Sequence, residues 1–84
     1  MIHELKCDSR YFEDIRLGTK KFEVRRNDRD FCAGDLLVLR ELGGGGYTGR
    51  TLVASVNSCW LNLPGVEAGY IIMDIKLLSN CFQV

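Results

Sequence analysis

The chain has 84 residues and a mass of 9.5 kDa, which makes one compact domain and leaves no room for a second. It is 46% hydrophobic and 26% charged, an ordinary globular balance that excludes disorder as a description of the whole. Eleven Lys and Arg offset eleven Asp and Glu, so the net charge is zero; a polybasic, histone-like binder is excluded and a local basic patch is not.

Ile2 to Lys6 fits a short strand, with Ile2, Glu4 and Lys6 on one side and His3 and Leu5 on the other. Asp8 or Ser9 supplies a capping oxygen for a helix start. Tyr11 to Leu17 has helical spacing: Tyr11 and Phe12 share a face with Ile15, while Arg10 and Asp14 share another. Gly18 suits the left-handed position that ends a helix. The period then changes to two. Phe22 and Val24 alternate with Lys21, Glu23 and Arg25, which predicts a half-buried strand with Phe22 and Val24 inward. Asn27 to Asp30 reads as a polar turn. Leu36-Leu37-Val38-Leu39 predicts a strand buried on both faces, or nearly so. Glycines 43–46 form a flexible tip, and Leu52, Ala54 and Val56 share one parity, so Leu36–Glu41 and Arg50–Val56 are predicted to pair as a hairpin. Asn57 to Gly69 holds the only Pro and the only Trp and is expected to be a loop. Tyr70 to Leu77 is again a strand. The domain is expected to span residues 1–78, with 79–84 a tail.

The predicted order is β-α-β-β-β-β, an α+β class that is mainly β. Five short strands in so small a chain point to a sheet that curls into a small barrel and protects its edges. One core is expected from Phe22, Val24, Leu37, Leu39, Leu52, Ala54, Ile71, Met73 and Ile75, with Phe12 and Ile15 docking the helix.

Cys7, Cys32, Cys59 and Cys81 contain no C-x-x-C pair, and His3 is the sole histidine, so no metal or other cofactor is expected. The thiols are expected to be reduced. No apolar stretch approaches the roughly 20 residues that cross a bilayer. The start M-I-H-E-L-K lacks the apolar segment of a signal peptide. A cytoplasmic location without membrane contact is the expectation. His3, beside an apolar strand, is expected to be buried and hydrogen-bonded. Trp60 either stacks on a base or plugs one end of the barrel, and Tyr47 at the hairpin tip is equally open.

Residues 20–29 hold Lys20, Lys21, Arg25, Arg26 and Arg29 against Glu23 and Asp28, a positive run in a neutral chain. It faces either phosphate or solvent: cations neutralise phosphates, but charge on a strand edge also blocks aggregation. Glu23 and Arg25 share one face of a strand. Glu23 there holds a basic side chain or accepts from a base amino group, and Arg25 makes bidentate contacts to phosphate or a base edge. Without a ligand they amount to a surface ion pair worth at most about 1 kcal/mol.

Gly18-Thr19-Lys20-Lys21-Phe22-Glu23-Val24-Arg25 reads G-x-K-x-x-E-x-R, and in this the chain resembles the ASCH superfamily (activating signal cointegrator homology). His3-Glu4-Leu5-Lys6, Arg26-Asn27-Asp28-Arg29, Gly34-Asp35, Tyr47-Thr48-Gly49-Arg50 and Gly69-Tyr70-Ile71-Ile72-Met73 extend the likeness over about residues 2–77. They are similar to a small bacterial and phage subfamily of unknown function regarded as RNA-binding. The resemblance implies a PUA-like β-barrel with the signature lining a cleft beside the helix. Some ASCH proteins are amidohydrolases that deacetylate modified cytidine. Their lysine corresponds to Lys20, but their nucleophilic threonine corresponds to Glu23, and a carboxylate does not readily form the same acyl ester. Their third catalytic group is a glutamate in a helical insertion. Here residues 57–69 offer only Glu67.

The leading expectation is a module that binds RNA or a nucleotide in a basic cleft made by Lys6, Lys20, Lys21, Glu23, Arg25, Arg26 and Arg29. Lys20 and the three arginines meet phosphate, Glu23 orients them or reads a base edge, and Lys6 completes the rim. The first rival is a small amidohydrolase with Lys20 and Glu23 as its catalytic candidates. The second is a phage or bacterial regulatory domain that binds a protein. Arg40, in the hairpin and outside the motif, is expected to take no part.

Overall fold

A computed structural model describes residues 1–81, the last two as backbone alone. Its elements are β1 (Ile2–Asp8), α1 (Ser9–Arg16), β2 (Phe22–Arg26), β3 (Leu36–Gly43), β4 (Gly46–Leu61) and β5 (Tyr70–Cys81), in the expected order β-α-β-β-β-β. The strands form one sheet ordered β1-β3-β4-β5-β2, curled into a half-barrel. β1 runs parallel to β3, and the other pairs are antiparallel. β1 and β2, consecutive along the chain, therefore become the two edges. α1 packs on β3, β1 and β5.

Asp8 ends β1 and caps α1, its side chain accepting from the Arg10 amide at 2.9 Å. Phe12 and Ile15 are buried against the sheet, as the helical spacing predicts. Gly18 has φ +82°, the left-handed conformation that a side chain disfavours. The turn it makes lets the amides of Thr19 and Lys20 both donate to the Asp14 carbonyl, at 2.9 and 3.0 Å.

The core holds Leu37, Leu39, Leu52, Ala54, Ile71, Met73 and Ile75 as expected, joined by Leu5, Cys7, Phe31 and Val56. Leu36 and Val38 are half-buried, so the β3 run is covered well on one face only. Phe22 and Val24 do not belong to the core: they are 47% and 43% exposed, and Glu23 between them is 4% exposed. The alternation of β2 is real and its orientation is opposite to the expected one. Val24 pairs across the sheet with Ile72, which pairs with Trp60, so these apolar side chains make an outer row. Trp60, 45% exposed, plugs nothing.

The hairpin is longer than expected, because β4 continues to Leu61 and only residues 62–69 remain as loop. A register shift between Val56 and Ser58 lets β4 bend past Asn57 and keep its pairing with β5. A second shift, between Arg40 and Leu42, accompanies the burial of Glu41, which accepts from the Thr48 hydroxyl at 2.7 Å. Arg50 ties that hairpin to the helix, donating to Glu13 at 3.2 Å with its guanidinium 5.0 Å from the Phe12 ring centre. β5 extends through Cys81, into the segment 79–84 set apart as a tail.

His3 is buried as expected. Its Nε2 lies 2.8 Å from Asp35 Oδ2, and its ring meets Phe31 edge-on at 4.6 Å. Asp35 also accepts from the Cys32 amide and from the Met1 ammonium, each at 3.0 Å. These donors, His3 foremost, hold its carboxyl down to about 2. Cys7, Cys32 and Cys59 are free thiols; the thiol of Cys81 lies outside the described residues. No helix among the described residues is long and apolar enough to cross a membrane.

Candidate functional site

Because β2 turns Glu23 inward, the sheet places a carboxylate where a curled sheet normally buries apolar groups. A buried carboxylate requires partners, and the signature supplies both. Lys20 Nζ donates to Glu23 Oε1 at 3.0 Å, and Arg25 Nε donates to Glu23 Oε2 at 2.9 Å. Lys20 comes from the turn before β2 and Arg25 from the same strand face two residues on, so the three fixed polar residues of G-x-K-x-x-E-x-R form one ion triad. Lys20 also donates to the Phe22 carbonyl at 2.7 Å, and its ammonium lies 4.8 and 5.4 Å from the ring centres of Phe22 and Tyr11. The charge is shared, bonded and stacked at the same time, which leaves the lysine little freedom.

The triad borders a cleft of about 570 Å³ lined by Lys6, Cys7, Asp8, Tyr11, Lys20, Phe22, Glu23, Val24 and Arg25. It lies between the two edges of the half-barrel. The Lys21 carbonyl accepts from Ile75, and the Asn27 amide donates to Gly69, so odd-numbered residues of β2 turn their backbone toward β5. The backbone of Phe22 and Val24 consequently turns toward the cleft. On the opposite wall the carbonyls of Glu4 and Lys6 are met by arginines. Arg25 Nη2 donates to the Lys6 carbonyl, and Arg29 Nη1 donates to the Glu4 carbonyl at 2.7 Å. Side chains thus span a seam that no backbone ladder closes.

Cys7 lines the cleft from β1 and is buried. Burial, and next the charge of Glu23, push its thiol up to about 11, so it stays protonated at neutral pH and is a poor nucleophile. Lys20 and Glu23, the catalytic candidates of the hydrolase reading, are bonded to each other. Glu67 lies exposed in the loop 62–69 and does not line the cleft.

A smaller groove of about 210 Å³ adjoins the cleft and shares Lys6 and Arg25 with it; Glu4, Leu5, Arg29, Arg40 and Tyr47 complete its walls. Of the seven expected residues, Lys6, Lys20, Glu23 and Arg25 thus meet in the cleft and Arg29 in the groove beside it. Lys21 instead lines another depression, with Asp74 and Lys76, that meets the cleft only at Lys20. Arg26 is exposed, its guanidinium 5.2 Å from the Tyr70 ring centre. Arg40, expected to stand apart, is in the groove because β1 pairs in parallel with β3 and sets Lys6 against Arg40. Tyr11 and Cys7 were also not expected at the site. Tyr11 fitted the apolar helix face by spacing, and Cys7 follows the parity of His3 and Leu5, which is a signal for burial and not for lining a cleft.

Residues 2–75 match the model of a family described as "Domain of unknown function (DUF3850)". A protein of Escherichia phage P2, "Uncharacterized 12.9 kDa protein in GpA 3'region", is 40% identical over 55 residues, which is 66% of this chain and 50% of that protein. The match therefore spans half the length of that relative. Among solved structures, the crystal structure of hypothetical protein PH0355 is similar over 93% of this chain and 100% of that one, with a TM-score of 0.64 and 21% sequence identity. That likeness bears on the fold alone.

Proposed function

The chain belongs to the DUF3850 family, whose description assigns no activity, and from its geometry we propose that it is a module binding RNA or a nucleotide in the cleft between β1 and β2. One observation carries the reading: Glu23, 5% exposed at its side chain, holds Lys20 and Arg25 in fixed positions at the edge of a nucleotide-sized opening. Of the five N–H groups of Arg25, one is engaged by Glu23 and one by the Lys6 carbonyl, so donors remain for an anion. Cations already ordered by the fold lose little freedom when phosphate arrives. Tyr11 and Phe22, each about half exposed, put aromatic surface at the mouth, where a base stacks. The Phe22 amide and the Val24 amide and carbonyl add donors and an acceptor for a base edge, the Phe22 carbonyl being taken by Lys20. Glu23 acts mainly by orienting the two cations. Zero net charge argues against tight binding to any long polyanion at large and for a contact confined to the local cationic site.

The finer assignment, to the ASCH superfamily with its PUA-like fold, is supported by the triad that the signature residues make. A cytoplasmic setting is proposed with it.

The test is binding of mixed nucleoside monophosphates and of a short RNA pool at two salt concentrations to wild type, Arg25→Lys and Arg25→Ala. Affinity should fall with salt, as released counterions require. Arg25→Ala should weaken binding by roughly one to two decades, and Arg25→Lys should weaken it too, since an ammonium lacks the guanidinium fork. Lys20→Ala, which leaves the seam contact of Arg25 in place, guards against a variant that fails to fold. No binding by folded wild type at low salt, or equal affinity in all variants, would overturn the reading.

A further inference from the structure

We propose that the groove beside the cleft carries the neighbouring nucleotides of a strand, so that the ligand is a single-stranded nucleic acid and not a free nucleotide. This rests on the nucleotide reading of the cleft and extends it. A mononucleotide would leave the groove unused, yet the groove continues the cleft through Lys6 and Arg25 and adds Arg29 and Arg40.

Three features favour a strand. Arg25 and Arg29 are anchored on the carbonyls of Lys6 and Glu4, two residues apart along β1. Those two carbonyls are about 6.6 Å apart along the strand, so the arginines anchored on them are spaced in a way that suits successive phosphates of an extended chain. The Arg40 guanidinium lies 3.9 Å from the Tyr47 ring centre, and Tyr47 is 46% exposed, so an ordered aromatic platform waits beside the phosphate track. The single carboxylate in the groove is Glu4, whose Oε1 accepts from Arg40 at 3.0 Å. Its side chain is 63% exposed, and such a pair yields readily to a phosphate.

Affinity is measured by competition for mononucleotides and for random-sequence RNA and DNA of three, five and nine nucleotides, with oligoglutamate as a non-nucleic polyanion. Affinity should rise by on the order of tenfold from mononucleotide to the short oligomers and then level off. In Arg40→Ala and Tyr47→Ala the ratio of oligomer to mononucleotide affinity should fall toward one. Glu4→Gln should raise that ratio, and Lys76→Ala, which lines neither the cleft nor the groove, should leave it as in wild type. Mononucleotide binding without gain from length would overturn the strand proposal and leave the cleft reading intact. Absence of all nucleotide binding would remove both. Oligoglutamate competing as well as the oligonucleotides would overturn the proposal in favour of an acidic protein partner. RNA and DNA binding alike would uphold it without a 2′-hydroxyl contact, and preference for one names the source of the strand.

Discussion

The guanidinium of Arg25 on β2 donates to the main-chain carbonyl of Lys6 on β1, so a side chain joins the two edges of the sheet where a closed barrel would have a ladder. The same guanidinium is held from behind by Glu23. Stability and recognition therefore meet in one residue, and variants of the triad report on both.

Glu23→Gln should lower the unfolding free energy by about 1–3 kcal/mol, because Lys20 and Arg25 lose the charge that compensates them in a mostly buried position. In so small a domain that moves the melting temperature by several degrees. Glu13→Gln, whose side chain is 43% exposed, should cost under about 1 kcal/mol although Glu13 also has two arginine partners. Urea titrations of both variants check the contrast, and equal losses would mean that burial of Glu23 contributes nothing.

Asp35 gives a prediction in pH. Its carboxyl sits at about 2 in the fold, against an ordinary value of 3.8. Between those values the unfolded chain binds a proton that the folded one does not, so this stabilisation is complete above about 4 and is lost as pH falls toward 2. The stability gap between wild type and Asp35→Asn should shrink as pH falls below 4. Parallel curves down to pH 2 would contradict the assignment.

The thiols should separate by reactivity. With iodoacetamide at pH 8 and peptide mapping by mass spectrometry, exposed Cys32 should be alkylated first, while Cys7, pushed up to about 11, should resist until the chain is unfolded in urea. Glu23→Gln removes a cause of that rise and leaves the Lys20 and Arg25 charges that oppose it. Cys7 should then react faster in the folded protein. Rapid native labelling of Cys7 in wild type would show that the cleft admits reagents its burial excludes.

Much of this architecture was legible in the residues. Asp8, Phe12, Ile15 and Gly18 mark the helix and its limits, and Leu37, Leu39, Leu52 and Ala54 mark the hairpin core, because caps and alternation are local signals. Phe22 and Val24 show where locality ends. A period of two announces a two-faced strand and does not say which face is inward; here Lys20 and Arg25 decide it, by making the inward carboxylate tolerable. Asn57 to Leu61 read as loop because the stretch 57–69 holds the only Pro and the only Trp, whereas a register shift between Val56 and Ser58 carries the strand on to Leu61. Arg40 was beyond reach for another reason. Its place beside Lys6 is set by the parallel pairing of β1 with β3, a contact across the whole α1–β2 excursion that no short window contains.

β2 also has a single hydrogen-bonded neighbour, β5, with Phe22 opposite Asp74 and Arg26 opposite Tyr70. During synthesis β1, α1, β3 and β4 leave the ribosome with the pairings among them available, while β2 waits for a strand that does not yet exist. One wall of the cleft therefore depends on the last strand of the sheet, and a chain ending at Leu61 would leave β2 with no strand to pair with. Loop closure over so long a stretch is also the slow kind, so ligand competence is tied to completion of the domain.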